Sequence, residues 1–127
     1  MQRIKKQIAV GIKKADSAKH IVYGVISEPD VEDLQGDIIS AEEIENACND
    51  FMLNYQSICD RHESVADARV AQNYIAPVDF ELEGQIVKTG SWVMAVKVYN
   101  VDLWDKIVAG EYTGFSIGGE ANAEEIA

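Results

Sequence analysis

The alternation of apolar and polar side chains predicts one helix clearly, from about residue 41 to residue 55. Apolar residues recur there every three or four positions and share one helix face: Ile44, Ala47, Cys48, Phe51, Met52 and Tyr55. Ser40 followed by Glu43 has the spacing of a capping box, so the helix should begin after Ser40. The stripe indicates that the helix packs on an apolar surface and that Cys48 is a core residue.

A second, shorter helix is predicted from about residue 101 to residue 109. Asn100 is a suitable N-cap, and Gly110 is placed to end the helix in a left-handed conformation. Its predicted apolar face consists of Val101, Trp104 and Val108.

The other apolar segments have the patterns of strands. Residues 21–26 form a β-branched run typical of a strand buried on both faces, and residues 92–99 form a long candidate strand. Shorter candidates lie at 57–60, 78–82 and 112–117. Because the connections are short, antiparallel pairing is favoured. The predicted fold class is mostly β (α+β), an antiparallel β-barrel or strongly curved sheet with two packed helices.

The length of 127 residues fits one domain. We expect a basic N-terminal arm or edge strand over residues 1–19, a single domain over 20–121 and an acidic tail over 122–127. Six of the eleven Lys and Arg residues lie in the first twenty positions, although the net charge is −11. Such a charge repels phosphate backbones and anionic membranes, so neither nucleic acid nor membrane is an expected partner. No apolar run is long enough for a transmembrane helix.

Neither the cysteines nor the acidic clusters indicate a disulfide framework or a cofactor. Cys48 and Cys59 are too few for a disulfide framework, which favours a reducing cytoplasm. Residues 30–37 are acidic but do not fit the EF-hand pattern. A metal site at Asp60, His62, Glu63 and Asp67 lacks the ligand spacing of zinc sites. We therefore expect no metal and no organic cofactor.

The strongest chemical motif is the G-x-S-x-G pattern centred on Ser116. Flanking glycines let a substrate carbonyl approach the hydroxyl, but the same residues also suit a glycine-rich strand end with a solvent-facing serine. The short chain and the lack of repeated βαβ units argue against an α/β hydrolase. No histidine follows Ser116, so a general base must lie upstream, and His62 is a better candidate than His20, which lies in a lysine-rich stretch.

At these residues the chain resembles the XkdF-type phage serine proteases. It is more distantly similar to the prohead proteases of tailed phages and to the assemblin-type maturation proteases of herpesviruses. The similar segments are VYGV at 22–25, EPD at 28–30, DLQGDIIS at 33–40, YIAPVDF at 74–80, GSWVM at 90–94 and GEYTGFSIGG at 110–119.

The resemblance implies an assemblin-like barrel and a serine endopeptidase that processes scaffold and capsid proteins during prohead maturation. It further implies a place in the cytoplasm of the bacterial host, within assembling proheads, and a homodimer. His62 and Ser116 match the family's histidine and serine in order and context. In this hypothesis Ser116 is the nucleophile, His62 is the base, and the backbone N–H groups of Ile117, Gly118 and Gly119 are oxyanion donors.

One position departs from the herpesvirus pattern. Those enzymes use a second histidine downstream of the serine, and this chain has none there. The acidic candidates for the third catalytic group, which would orient His62, are Glu120, Asp60 and Glu63. The alternative function is a non-enzymatic capsid-assembly or scaffolding module on the same fold.

Overall fold

The computed structural model of the protein describes residues 3–32, 36–55, 57–60, 63–64 and 68–122. At residues 3–9, 57–60, 63–64, 116 and 118–122 it describes the backbone. The described strands are β1 (Arg3–Asp16), β2 (Ile21–Ser27), β3 (Ser57–Asp60), β4 (Glu63–Ser64), β5 (Ala68–Ile75), β6 (Phe80–Leu82), β7 (Gln85–Val87), β8 (Trp92–Val98) and β9 (Gly114–Asn122). The helices are α1 (Ala41–Asp50), which continues as a π-helical segment (Phe51–Tyr55), and α2 (Val101–Val108).

Seven strands form one antiparallel sheet in the order β4-β3-β9-β1-β2-β8-β5. The strands at its two edges are consecutive in sequence, because only residues 65–67 separate Ser64 in β4 from Ala68 in β5. Four peptide units span at most roughly 14 Å, so the sheet must curl until its edges approach each other. Strand β3 accordingly contacts β5. The predicted strongly curved antiparallel sheet is confirmed, in the form of a half-barrel.

Strand β1 joins the two halves of this curved sheet. Its residues 3–11 pair with β9, and its residues 12–16 pair with β2 after an irregularity between Ile12 and Lys14. Glycines allow the close approach at this change of partner. A Cβ at Gly114 would lie 2.6 Å from the carbonyl oxygen of Val10, and a Cβ at Gly24 would lie 2.6 Å from Val10 Cγ1. Strand β1, which covers most of the predicted N-terminal arm or edge strand, therefore lies inside the sheet between β9 and β2.

The concave face of the sheet is filled by α1 and the π-helical segment. Their buried residues Ile44, Cys48 and Phe51 belong to one core cluster with the inward-facing residues of the sheet, which include Val10, Val22, Trp92, Met94, Val96 and Ile117. Ser40 accepts a hydrogen bond from the backbone N–H of Glu43, and the reciprocal bond of the capping box is also present. The helix prediction is confirmed, except that Ala47 is exposed.

The opposite face of β8 is covered by the two-stranded hairpin of β6 and β7. Val93 is fully buried there with Ala76 and Val87, and Phe80 and Leu82 pack against this second cluster. Because both faces of β8 are covered, nearly all of its residues are buried, and β8 is the most buried strand in the described part of the chain.

Helix α2 packs through a different face from the one predicted. Asn100 caps it by accepting a hydrogen bond from Leu103 N–H, and Gly110 has φ 82°, as expected. Trp104 is buried and stacks on the ring of His20 with centroids 4.5 Å apart. Leu103 and Ile107 accompany Trp104 in the core, whereas Val101 and Val108 are exposed because they lie on the other side of Trp104. No described helix has the length and apolar character needed to cross a membrane.

Candidate functional site

Ser116 lies in β9, between two hydrogen-bonded neighbours. Its Cα is opposite Ala9 of β1 on one side and opposite Cys59 of β3 on the other. The adjacent Ile117 is buried in the main core cluster, and Phe115 packs against the same cluster. The motif that sequence analysis selected therefore occupies the middle of the sheet, beside the strand that leads to His62.

The histidine predicted as the base, His62, lies outside the described residues. The chain on either side of it is described: β3 ends at Asp60, and β4 begins at Glu63. Asp60 pairs with Glu63 and Cys59 pairs with Ser64, so both ends of the segment containing His62 belong to the β3–β4 pair next to β9.

The backbone N–H groups proposed as oxyanion donors belong to the hydrogen-bond ladder. Ile12 N–H donates to the carbonyl of Thr113 at 2.9 Å, and this bond determines which residues of β9 form hydrogen bonds toward β1 and which toward β3. In antiparallel pairs hydrogen-bonded residues recur every second position, so Ile117 and Gly119 bond toward β1, while Ser116 and Gly118 bond toward β3. An oxyanion at Ile117, Gly118 or Gly119 would thus require a ladder bond to open.

The candidate acidic partners occupy different parts of the sheet. Asp60 is the last residue of β3 and pairs with Glu63. Glu120 lies four residues beyond Ser116 in β9, opposite Lys5 of β1. That separation corresponds to about 13 Å along an extended strand. Asp60 is thus close in sequence to the proposed base, whereas Glu120 lies on the same strand as the proposed nucleophile.

Cys48 is a structural residue, as its position in the helix predicted. It is 2 % exposed, and its carbonyl oxygen and Sγ both accept hydrogen bonds from Asn73 Nδ2, at 3.2 and 3.3 Å. Burial raises the pKa of the Cys48 thiol, the bond from Asn73 partly opposes this, and the charge of Glu45 adds to it. A thiol with a raised pKa is a poor nucleophile, so Cys48 is excluded as the reactive group.

Sequence reasoning missed the position of Cys59 opposite Ser116. The sequence shows that Cys59 precedes His62 by three residues, but this spacing does not indicate which residue of β9 lies opposite Cys59. Among the residues that the structure describes, no group of three or more His, Cys, Asp or Glu side chains could hold a metal ion.

A family model described as "Putative phage serine protease XkdF" matches residues 8–125. The chain belongs to this family. The resemblance inferred from the sequence is therefore confirmed. The family description names a phage serine protease, and the G-x-S-x-G motif with Ser116 lies inside the matched region.

Two relatives from Bacillus subtilis (strain 168) match 94 % of the chain. The "Uncharacterized protein YqbD" is 38 % identical over 121 residues, which are 37 % of its own length. The "Phage-like element PBSX protein XkdF" is 34 % identical over 121 residues, which are 44 % of its length. The chain thus spans less than half the length of either relative. No solved structure matches the chain significantly.

Proposed function

We propose that this chain is the proteolytic domain of a phage serine endopeptidase that cleaves scaffold and capsid proteins during prohead maturation. The cleavage takes place in the cytoplasm of the bacterial host, within assembling proheads. Ser116 is the nucleophile and His62 is the general base. Membership of the family supports the serine-protease class, and the arrangement of β3, β4 and β9 supports the choice of residues.

The observation that carries the proposal is the register of β3 against β9. Residues directly opposite in antiparallel strands have Cα atoms about 4.5–5.5 Å apart. Cys59 is opposite Ser116, and His62 follows Cys59 by three residues in the connection to β4. A histidine so close in sequence to the partner of Ser116 can approach its hydroxyl without a long excursion of the chain.

The alternation of β9 supports access for a polypeptide substrate. Ile117 is buried on the concave side, so position 116 belongs to the outer face of the sheet. The flanking positions on that face are Gly114 and Gly118, which have no side chain to obstruct a substrate. Gly114 also has the structural role described above, because a Cβ there would collide with Val10.

In the proposed reaction Ser116 Oγ attacks the scissile carbonyl carbon, and the proton of the hydroxyl passes to His62. The tetrahedral intermediate collapses, the C–N bond breaks, and His62 protonates the leaving amine. Water then hydrolyses the acyl-enzyme with His62 again acting as base. Of the proposed oxyanion donors, Gly118 pairs with Ser57, the first residue of the short strand β3, so its ladder bond lies at a strand end. Asp60, Glu63 and Glu120 are the candidates for orienting His62.

The test compares the unmodified protein with Ser116→Ala, His62→Gln and the control Ser17→Ala, which changes an exposed turn serine. Each protein is incubated with the cognate scaffold and capsid proteins and with a fluorophosphonate that labels activated serines. We expect cleavage and labelling for the unmodified and Ser17→Ala proteins, none for Ser116→Ala, and a loss of about 10³-fold or more for His62→Gln. Equal labelling of Ser116→Ala would disprove the assignment.

The second candidate is a non-enzymatic capsid-assembly module, which the engagement of residues 117–119 in the ladder favours. In that case the folded protein binds scaffold or capsid proteins but leaves them intact and remains unlabelled. A homodimer is expected for either function, and sedimentation equilibrium with and without the scaffold protein measures it.

A further inference from the structure

The outer face of the sheet carries a cluster of cations although the chain as a whole is strongly acidic. Three of the cations, Lys14, Lys97 and Arg69, lie in two rows of residues that are paired across β1, β2, β8 and β5. The fourth, Lys19, lies in the turn before β2. We call these four residues the basic face. Lys97 Nζ donates a hydrogen bond to the carbonyl of Lys19, which connects the turn to the rows.

The irregularity in β1 is what places Lys14 on this face. Ile12 packs against the core, whereas Lys14 lies opposite Tyr23 with its Nζ 5.4 Å from the centre of that ring. Lys97 Nζ lies 5.8 Å from the centre of the exposed ring of Tyr99. The two tyrosines hold the ammonium groups near the surface, where a ligand can reach them.

These cations lack carboxylate partners within the described ranges. None of the four forms an ion pair there, and Arg69 lies directly opposite Lys97, a juxtaposition of like charges that destabilises a sheet. The acid in their row, Asp16, accepts hydrogen bonds from the backbone N–H groups of Ala18 and Lys19. In a chain with net charge −11, an uncompensated cluster of this kind fits an anionic ligand.

The basic face also lies on the same side of the sheet as position 116. Ala9 is opposite Ser116, and Lys14 follows five residues later in the same strand, which is about 16 Å in extended geometry. We propose that the basic face binds an acidic segment of the polypeptide substrate, about five or more residues from the scissile bond. The substrate role rests on the proposed function, whereas the binding itself does not.

A polypeptide fits better than a nucleic acid. A short run of Asp and Glu can cover the basic face alone, whereas a long phosphate backbone would extend over the acidic remainder of the surface and be repelled. The test therefore uses the Ser116→Ala protein, which binds without cleaving, and a fluorescein-labelled poly-glutamate peptide with a poly-glutamine peptide as reference.

Fluorescence anisotropy is measured for the Ser116→Ala background and for the added changes Lys14→Gln, Arg69→Gln and Lys88→Gln. Lys88→Gln is the matched control, because it removes one cation that is paired with Asp79 at 3.9 Å and belongs to another surface. We expect poly-glutamate to bind and poly-glutamine not to bind. Lys14→Gln and Arg69→Gln should each weaken binding about two- to fivefold, with Lys88→Gln unchanged. Urea unfolding confirms that every variant is folded.

Three results would overturn the proposal: no binding of poly-glutamate, equal weakening by Lys88→Gln, or tighter binding of an oligonucleotide than of the peptide. None of these depends on catalysis, so failure here is distinguishable from failure of the protease assignment. If both proposals hold, the active protein should cleave a substrate with an acidic flank faster than its glutamine counterpart, and Lys14→Gln should reduce that preference.

Discussion

The Cα of Ser116 lies directly opposite the Cα of Cys59 where β9 pairs with β3. Because Ile12 N–H bonds to the carbonyl of Thr113, the even-numbered residues of β9 form their hydrogen bonds toward β3. Ser116 and Cys59 are therefore a hydrogen-bonded pair, for which the Cα atoms are about 5.5 Å apart. That distance is within the range that a disulfide spans. The register that joins the serine motif to the segment before His62 is thus open to a direct chemical test.

We predict that Ser116→Cys forms an intramolecular disulfide with Cys59 under mild oxidation. Residues directly opposite in adjacent strands carry their Cβ atoms on the same face of the sheet. In a hydrogen-bonded pair these atoms lie toward the wide end of the range of about 4.5–5.5 Å, so closing the bond requires a small local approach of β3 and β9. Peptide mapping by mass spectrometry without reduction should show the linked peptides containing residues 59 and 116.

The control for this prediction combines Ser116→Cys with Cys59→Ser. This double variant keeps Cys48, which is 2 % exposed, and should form no disulfide, within or between chains, under the same conditions. A bridge from position 116 to Cys48, or an intermolecular bridge alone, would contradict the register.

The change Gly114→Ala should destabilise the protein by about 1–3 kcal/mol. A Cβ at this position would lie 2.6 Å from a backbone oxygen of Val10, which cannot rotate away as a side chain can. The matched control is Gly11→Ala in the paired position of β1, where a Cβ would have no neighbour within 4 Å. Urea unfolding measures both, and equal stability of the two variants would show that the strands do not approach so closely.

The helix boundaries could be predicted from the sequence because their signals are local. Ser40 and Glu43 mark the start of α1 within one turn, and Asn100 and Gly110 bracket α2 in the same way. The packing face of α2 could not be predicted, because Trp104 has apolar neighbours on both of its sides. Contact with the sheet, which the sequence does not encode locally, selected Leu103 and Ile107 over Val101 and Val108.

The place of β1 and the register at the candidate site are non-local properties. The lysines of β1 suggested an exposed segment, yet its two halves pair with β9 and β2, and its change of partner depends on glycines distant in sequence. Ser116 could be selected from its motif and His62 by elimination. The sequence contains no measure of which strand pairs with β9, so Cys59 could not be placed opposite Ser116.

Replacing Asn73 by Ala should cost about 1–3 kcal/mol of stability. Asn73 Oδ1 accepts a hydrogen bond from Trp92 Nε1 at 2.7 Å, and Trp92 is 3 % exposed, so truncation leaves a buried donor without its partner. The bond from Asn73 Nδ2 to the Cys48 carbonyl is lost as well. The control is Asn54→Ala, which removes an exposed bond to Asp50 and should change the free energy of unfolding by less than about 0.5 kcal/mol. Equal losses would show that the buried network contributes nothing specific.

The loop before the β6–β7 hairpin should loosen in acid as Asp79 is protonated. The backbone N–H and the hydroxyl of Thr89 both donate to Asp79 Oδ1 at 2.8 Å, and they are the main cause that holds the pKa of this carboxyl below its ordinary value, with a minor contribution from Lys88. A carboxyl with a lowered folded-state pKa stabilises the folded protein above its unfolded-state pKa, and the contribution is lost as the pH falls through the folded-state value.

The measurement is an NMR titration of the Asp79 carboxyl carbon and the Thr89 amide proton. Both should titrate together at a pH below the ordinary aspartate range, and Asp79→Asn should abolish the transition of the Thr89 amide. Because the bonds from Thr89 are the larger cause, Lys88→Gln should leave most of the lowering of the pKa in place, whereas Thr89→Val should remove the bond from the hydroxyl and raise the midpoint. A Thr89 amide that titrates independently of Asp79 would show that the bond between them does not hold this loop.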